Sequence, residues 1–297
     1  MPNTIEYAKV YQTQLDTLAT QEMTTGWMEA NAGQVKYNGG NEIKIPKMSL
    51  DGLADYDRAT GYPDGTVTLS YETKQMTQDR GKKFRLDAMD VDETNFATTG
   101  ASVMGTFQRD KVVPEVDAYR IATLYGAAKT AGNVTESYTP AKDTIVEKLK
   151  ADITKVRKAG AKNVVVHISF DALGALETAL AAQLHNTTWS QGGINTQVPM
   201  FDNAPLIATA DDRMYAKVTI DPDDGYSGEG NINWIVMDSR VPIAVSKTDK
   251  VKIIDPDTNQ SADAWDLTYR KYHDIWVMDN KAKLVAACLS GTAPAEG

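Results

Sequence analysis

Apolar residues recur at helical spacing along one stretch of the chain, between Thr94 and Ala131. The early part of the stretch places one set of apolar residues on one face, and the later part places a second set on another face. The first set is Phe96, Gly100, Val103, Met104 and Phe107, and the second is Val112, Val113, Val116, Leu124, Ala127 and Ala128. The pattern predicts a long amphipathic helix, with Thr94 as its N-cap, that lies between two packing partners.

Pro114 interrupts this helical pattern. Proline has no amide N–H for the preceding turn and disfavours the helical conformation of the residue before it, so we expect a kink or a restart here. Asp117 and Arg120 fall within the later apolar stripe and can pair on one face. They are either a solvated surface pair or part of a face that meets another subunit, where a charge pair sets the register.

The first part of the chain has the pattern of a polar helical arm. Between Thr4 and Met28, apolar residues recur loosely at helical spacing among glutamine and threonine, too sparsely for an independent fold. Trp27 is a candidate anchor near the end of the arm. The arm either packs on another body, in cis or in trans, or is a terminal helix docked on its own domain.

From Gln34 to Leu86 the pattern changes from helical to alternating. Ile43 and Ile45 alternate with charged residues, and Val67, Leu69 and Tyr71 alternate with threonine and serine, which predicts two strands. The insert between them, SLDGLADYDRATGYPDGT, is polar and rich in turn formers. A two-stranded ribbon with so little hydrophobic material is marginal alone, so we expect it to lean on a neighbouring subunit.

The pattern from Pro140 to about Pro256 predicts a compact α/β body. A helix with one apolar side ends at Gly160, a buried strand follows in NVVVHIS, and a second helix covers FDALGALETALAAQLH. Further strands are expected near Leu206 to Ala208, Tyr215 to Ile220, Asn233 to Met237 and Ile243 to Lys247, with DPDDGYSGEG as a flexible loop.

The C-terminal stretch alternates again. Trp265, Leu267 and Tyr269, and then Ile275 and Val277, alternate with polar residues, which predicts a pair of strands. We expect these strands to return to the long helix. Two chain segments would then build one domain, and the segment between them would form an inserted second domain.

Composition and charge exclude several classes of function. The chain has 297 residues, enough for one large domain or two modest ones, and at a net charge of −9 it lacks the basic clusters that grip nucleic acid non-specifically. Cys288 is the only cysteine, so no disulfide can form within the chain, and its side chain is expected to pack. The sequence shows no apolar signal region and no run long enough to span a membrane, as is typical of a soluble protein.

No residues combine into a recognisable catalytic motif, so we expect no enzymatic activity, no cofactor and no metal. His167, His185 and His273 are spaced neither as metal ligands nor beside a nucleophile, and each is interpreted as structural. A less favoured interpretation is an α/β enzyme or binding module with its site among acidic residues: Asp211, Asp212, Asp221 and Asp223.

A second acidic stretch has spacing that resembles a calcium loop. Its residues are Asp255, Asp257, Asn259, Asp263 and Asp266. Gln260 stands where a calcium loop needs glycine, and a strand pattern precedes the stretch where a helix is required. A solvated turn is therefore favoured over a calcium site.

Taken in order, these elements resemble the major capsid protein of tailed bacteriophages. The resemblance covers nearly the whole chain and is carried by VVPEVDAYR on the long helix, VVVHISFDALGAL in the body and WDLTYRKYHDIWVMDNK near the end. It implies an α+β chain with the Hong Kong 97-like capsid fold. The implied parts are an N-terminal arm at 1–32, an extended β-hairpin loop at 33–88, a peripheral domain with a spine helix at 89–138 together with 262–297, and an inserted α/β axial domain at 139–261.

The resemblance also implies a structural role. Identical chains would form the hexamers and pentamers of an icosahedral shell around a double-stranded DNA genome, without sequence-specific contact to the DNA. The protein would assemble in the host cytoplasm and reside in the virion, with no membrane partner. The chain begins at Met1 with the arm and shows no long, charged helical leader, so a separate scaffolding protein is expected beside a portal, unless no scaffold is needed. The alternative within the same fold is an encapsulin-like shell that encloses cargo enzymes.

In the fold that the resemblance implies, the extended loop lies across the adjacent subunit. The candidate contacts between subunits are Trp27, Asp55, Arg58, Lys74, Arg80, Asp117 and Arg120. In that position the loop would find on a second copy the apolar burial that its own sequence does not supply.

Overall fold

The structure is a computed structural model that describes residues 23–34, 36–37, 42–56, 58–59, 61–89, 99–180, 184–191, 194–221 and 225–294. Helices and strands are mixed along the chain, which confirms the predicted α+β class. Most of the predicted arm, residues 1–22, and the candidate N-cap Thr94 lie outside the described residues. The described part begins with a 3₁₀ helix, Gly26–Gln34, which follows the predicted arm.

The segment predicted as one extended loop is divided between two sheets. Strands β1 (Lys36–Tyr37), β2 (Glu42–Leu50) and β3 (Val67–Gln75) form one sheet, and β4 (Gln78–Asp87) belongs to another. The second predicted strand therefore breaks at Met76 and Thr77. The alternating pattern continues through this break, so the sequence did not reveal that β4 changes its pairing partner.

The long helix is present and is interrupted where proline requires it. Helix α1 (Thr99–Phe107) leads into a π-helical segment, Gln108–Val112, and then into helix α2 (Val113–Thr130). Pro114 lies in the first turn of α2, where its missing N–H costs least. The wider turn before it absorbs the proline, so the expected interruption is confirmed.

The remaining elements follow in chain order. The helices are α3 (Ile145–Lys158) and α4 (Phe170–Leu180), with 3₁₀ helices at Asp211–Arg213 and Asp279–Leu284. The strands are β5 (Val134–Thr135), β6 (Val164–Ser169), β7 (His185–Gln191), β8 (Ile194–Phe201), β9 (Ala204–Thr209), β10 (Tyr215–Asp221), β11 (Gly225–Asp238), β12 (Ile243–Ile254), β13 (Ala264–Trp276) and β14 (Val285–Leu289).

Within the described ranges, eight strands form the largest sheet, in the order β5-β14-β11-β6-β9-β8-β7, with β10 paired to β11. Strand β14 lies between β5 and β11, although it is the last strand in the described part of the chain. All five of its residues are buried. The C-terminal segment thus lies one strand in from the edge of this sheet, with only the two-residue β5 outside it.

Helices cover both faces of the large sheet. Ile121 and Leu124 of α2 pack on one face, against residues such as Val165. Leu149 and Ile153 of α3 pack on the other face, together with α4. Successive residues of β6 alternate between the two cores, which explains why VVVHIS reads as a continuous apolar run.

The second body is a three-stranded sheet in the order β12-β13-β4. Strand β13 pairs along its length with both neighbours, and Leu267 faces Phe84 on β4 and Ile253 on β12. Met104 of α1 packs beneath Leu267 and Val251. The long helix therefore packs on one sheet early and on the other sheet late, which confirms the prediction that it lies between two partners.

Several local predictions are wrong. His185 begins strand β7 instead of ending a helix, because α4 ends by Leu180 and the polar stretch after it forms the hairpin β7-β8. Residues 225–230 of the predicted flexible loop belong to β11 and pair with β10. The C-terminal pair of strands is one strand, β13, followed by β14 in the other sheet, so the sheets cross the predicted boundary at residue 261.

Candidate functional site

The hairpin of β2 and β3, residues 42–75, projects with little apolar burial of its own. Its strands pair from Glu42 and Gln75 to Leu50 and Val67. Eight large hydrophobic side chains of the hairpin are exposed: Met48, Leu50, Leu53, Tyr56, Tyr62, Val67, Leu69 and Tyr71. This apolar surface is typical of an interaction site.

The base of the hairpin is anchored on its own chain. Ile43 and Ile45 are fully buried, and with Met76 they pack against Trp276 and Ile243 near the ends of β13 and β12. Burial of the hairpin's apolar residues is thus concentrated at the base, while the outer part of both strands and the tip, residues 51–66, carry the exposed side chains. The hairpin is therefore held at one end only.

A buried carboxylate fixes the point where the hairpin meets β4. Asp274 accepts hydrogen bonds from the backbone N–H of Thr77 at 2.8 Å and from its hydroxyl at 3.0 Å. The Tyr119 hydroxyl on α2 donates to the other Asp274 oxygen at 2.8 Å. Burial raises the pKa of Tyr119, so its hydroxyl stays protonated and can donate. These bonds tie the hairpin, the long helix and β13 together.

The tip is closed by its own hydrogen bonds. Asp51 accepts from the backbone N–H of Thr66 at 2.8 Å, and the Tyr56 and Tyr62 rings meet edge to face at 5.0 Å. Asp55 and Arg58 lie in this region and are exposed. The tip thus presents aromatic, aliphatic and acidic side chains to the outside.

A buried charge cluster, defined here as Asp117, Arg120, Arg213 and Glu29, holds the segment that begins at Met23. Asp117 has no exposed surface and accepts from the backbone N–H groups of Thr24 and Thr25, each at 3.1 Å. Both threonine hydroxyls also donate to it, and Arg213 completes its shell at 3.0 Å. These five hydrogen-bond donors replace the water molecules that the carboxylate loses on burial.

Arg120 binds the other side of the same segment. Its guanidinium donates to the Thr25 carbonyl at 3.2 Å and to Glu29 at 2.5 Å. Burial alone would raise the pKa of Glu29, but the charges of Arg120 and Lys271 and the hydrogen bond from Arg120 outweigh it and hold the pKa below its ordinary value. Glu29 therefore remains ionised as the partner of a fully buried arginine.

Trp27 anchors the segment in the core. Its indole N–H donates to His167 Nε2 at 3.3 Å, and the His167 Nδ1 lies 3.2 Å from the Thr209 hydroxyl. Because Nε2 accepts, Nδ1 carries the proton and donates to Thr209. Burial lowers the pKa of His167 to about 4, which keeps the imidazole neutral. His167 is thus a structural histidine, as expected.

The seven candidate contacts between subunits occupy different environments. Trp27, Asp117 and Arg120 have no accessible surface in the single chain, so the expectation that they meet another subunit is corrected: they bind within their own chain. Lys74 pairs with Glu72 at 2.7 Å, and Arg80 pairs with Glu115 at 2.9 Å. Asp55 and Arg58 remain exposed at the tip.

Sequence reasoning missed the partners that organise these residues. Asp117 and Arg120 were expected to pair with each other, but the structure gives each a separate partner on a distant segment, Arg213 and Glu29. The sequence did show two charged residues inside an apolar stripe, and a charge at a buried position needs a partner of opposite charge. The partners lie far away along the chain, so the sequence did not identify them.

The described residues hold no group of three or more His, Cys, Asp or Glu side chains placed to bind a metal ion. In the acidic stretch with calcium-like spacing, Asp266 is engaged by Lys83 at 2.5 Å and Arg85 at 2.9 Å, and Asp255 closes a turn with Thr258. Cys288 is buried, and burial raises the pKa of its thiol to about 12. None of the described helices combines the length and apolar character of a membrane span.

No family model and no curated protein matches the sequence. Solved structures match across most of the chain. The capsid structure of the cyanophage P-SCSP1u has a TM-score of 0.59 at 8% identity and covers 86% of this chain and 84% of that one. The virus-like particle from Pyrococcus furiosus has a TM-score of 0.57 at 11% identity and covers 96% and 100%.

A third structure, the mature capsid of bacteriophage PhiM1, has a TM-score of 0.55 at 11% identity and covers 85% of this chain and 82% of that one. At such low identity the likeness concerns the fold. The resemblance to tailed-phage capsid proteins is confirmed at that level: this chain has the fold that these capsid and virus-like-particle proteins share.

Proposed function

We propose that this chain is the major capsid protein of a tailed bacteriophage, which self-assembles into the hexamers and pentamers of an icosahedral shell around double-stranded DNA. The observation that carries the proposal is the hairpin, which exposes eight large hydrophobic side chains on a fold shared with capsid proteins. A protein that functions alone gains nothing from such a surface, whereas a shell subunit buries it on its neighbours.

The proposed parts follow the capsid interpretation. Residues 1–32 act as the arm, and 33–88 as the extended loop, of which the hairpin of β2 and β3 crosses an adjacent subunit while β4 belongs to the sheet of its own chain. Residues 89–138 with 262–297 act as the peripheral domain, and 139–261 as the axial domain near the centre of each hexamer or pentamer. The buried charge cluster supports a fixed origin for the arm, since Thr25 and Trp27 are held on the chain's own core. The anchored base supports a fixed direction for the loop.

The proposed role is structural and not enzymatic. Its partners are other copies of the chain, a separate scaffolding protein and a portal, and packaged DNA without sequence-specific contact. The shell would assemble in the host cytoplasm and become part of the virion. The net charge of −9 supports weak contact with DNA, because a negative inner wall repels phosphate and lets the packaged genome move.

The experiment is to express and purify the chain and to image it by negative-stain electron microscopy over a range of salt and crowding-agent concentrations. The proposal expects closed shells or isolated hexamers and pentamers. A protein that sediments as a monomer under every condition contradicts it.

A second candidate is an encapsulin-like shell that encloses cargo enzymes. It is favoured by the likeness to the virus-like particle from Pyrococcus furiosus, which covers 96% of this chain and all of that one. The contents of particles purified from their natural source separate the two. Particles of a phage capsid contain nuclease-protected DNA, which dominates their ultraviolet absorbance. Particles of a cargo shell contain a second protein, visible on a denaturing gel, and no nuclease-protected DNA.

A further inference from the structure

A cavity of about 260 Å³ lies between the long helix and the three-stranded sheet. Its apolar wall is aromatic: the Phe107 ring meets Phe84 at 4.9 Å and Tyr269 at 6.0 Å, edge to face in both cases. Val112, in the π-helical segment, also lines it. The wider helical turn thus faces a hollow that could hold one or two apolar side chains, and not a whole strand.

The polar lining of the cavity has unpaired positive charge. Arg80 is neutralised by Glu115, and Lys271 is neutralised by Asp249. Lys82 and Lys111 also line the cavity and are exposed, and neither has an ion-pair partner in the described part of the chain. The site therefore favours an apolar group that carries a negative charge beside it.

His273 leaves a polar atom available at the cavity wall. Its side chain lines the cavity and is only 3% exposed, and its Nδ1 has no hydrogen-bond partner among the described residues. Buried polar atoms are nearly always satisfied, so a water molecule or a group that enters the cavity is expected to bond to this nitrogen.

The tip of the hairpin carries the complementary group. Leu53 is fully exposed, and Asp55 follows two residues later. Both residues lie in the irregular tip between β2 and β3 and both are exposed, so a surface that receives the leucine also lies near the carboxylate. Asp55 has no ion-pair partner among the described residues.

The tip and the cavity that it complements belong to different copies. The hairpin is anchored at its base, its nine-residue strands extend roughly 30 Å, and Leu53 touches none of the cavity in its own chain. A projecting group on one surface that fits a hollow elsewhere on the molecule makes a head-to-tail contact, which closes into rings when the rotation between copies allows.

We propose that Leu53 of one copy enters the cavity between the long helix and the three-stranded sheet of a second copy, and that Asp55 pairs there with Lys82 and Lys111. This proposal rests on the proposed shell function and adds to it the receiving site and the residues that select it. The leucine supplies apolar burial, and the carboxylate fixes orientation.

Charge reversal tests the pairing. Asp55→Lys and Lys111→Glu are each expected to raise the protein concentration needed for assembly by about fivefold, and the double variant is expected to restore it. Asp64→Lys at the same tip and Lys150→Glu on α3 are the matched controls, since both residues are exposed and lie outside the contact. If each single variant loses assembly and the double variant does not recover it, the proposed pairing is overturned.

A disulfide tests the geometry directly. Leu53→Cys combined with Val112→Cys is expected to give inter-chain crosslinked ladders on a non-reducing gel, whereas Leu53→Cys with Thr154→Cys gives none. Cys288 does not compete, because it is buried. Shells that form normally without crosslinks overturn this proposal and leave the proposed function standing. A wild-type chain that never assembles overturns the proposed function first, and the docking site with it.

Discussion

At the level of single residues, Asp117 determines how the beginning of the described chain is held. Its carboxylate is fully buried and surrounded by donors from Thr24, Thr25 and Arg213. Every neighbour of this group donates a hydrogen bond or carries positive charge, so the site requires a side chain that accepts at both of its outer atoms.

Asp117→Asn should lower the free energy of unfolding by about 3 kcal/mol. The NH₂ group of the asparagine would face hydrogen-bond donors, and Arg213 would lose its ion-pair partner. Urea denaturation followed by circular dichroism measures the change. The exposed Asp64→Asn serves as the control, with an expected change below about 0.5 kcal/mol. Equal stability of the two variants would show that Asp117 is not a structural anchor.

His167 makes stability depend on pH. Its pKa is lowered to about 4 by burial, while an unfolded histidine titrates near about 6.5, so the unfolded chain binds the proton first. The contribution is complete above pH of about 6.5 and is lost as the pH falls towards 4, by about 3 kcal/mol in total. The pKa of His273 is also lowered by burial and adds a loss of the same sign.

His167→Gln should flatten this decline, because no proton is then taken up at this position on unfolding. The free energy of unfolding measured at intervals between pH 4 and 7 gives the slope. An unchanged slope in the variant would mean that His167 does not titrate on unfolding.

At the level of elements, the junction between β3 and β4 sets the direction of the hairpin. Two strands that are adjacent in sequence belong to different sheets, and the turn between them is held by the bonds of Thr77 to Asp274. The Tyr119 hydroxyl orients that carboxylate from the long helix. The hairpin is therefore aligned by a small hydrogen-bonded network and by the apolar base.

Tyr119→Phe removes one hydrogen bond to a charged acceptor and should cost about 1.5 kcal/mol. It should also increase amide hydrogen exchange at Thr77, whose N–H bonds to the same carboxylate. The control is Tyr62→Phe at the exposed tip, where neither quantity should change. Exchange at Thr77 that stays as slow as in the wild type would indicate that the apolar base alone holds the junction.

The elements that the sequence predicted well have strong local periodicity. Helix α3 and strand β6 could be predicted because their apolar residues recur at a clear spacing with a turn former or a polar residue at the end. The hairpin β7-β8 was missed, since its sequence is polar and its strands pair with each other more than with the core. Local pattern carries little information for such elements.

Pairings between distant segments could not be predicted from pattern. Strand β4 alternates as β3 does, but Leu86 faces Trp265, about 180 residues later in the chain. The candidate contacts between subunits could not be assigned for the same reason. A tryptophan in a polar arm indicates an anchor, but the sequence does not show whether it packs on His167 of the same chain or on another subunit. Only the three-dimensional arrangement separates these alternatives.

At the level of the whole molecule, the exposed hairpin and the buried charge cluster have different consequences. The cluster binds the start of the described chain to its own core, so this part does not depend on other copies for burial. The tip of the hairpin has no such support. Assembly should therefore depend on the tip, and the folding of the subunit should not.

Replacing residues 52–65 by an Asn-Gly turn should abolish shell formation and leave the subunit folded. Asp51 and Thr66 already face each other through hydrogen bonds, so a two-residue turn can close the shortened hairpin. Sedimentation velocity reports assembly, and the midpoint of thermal unfolding reports the fold. Normal shells without the tip would show that the hairpin is not the extended loop of a capsid.

The place of β14 between β5 and β11 also bears on when a newly made subunit becomes competent. Translation proceeds from the N-terminus, so β14 is made after every other strand of the described chain. Until it inserts, β5 and β11 have no strand between them, and the helices on both faces of the sheet lack the side chains of β14 that they pack with. Interrupted translation products would thus be unable to complete their core. Chaperones and proteases would remove them before they could be incorporated into a growing particle.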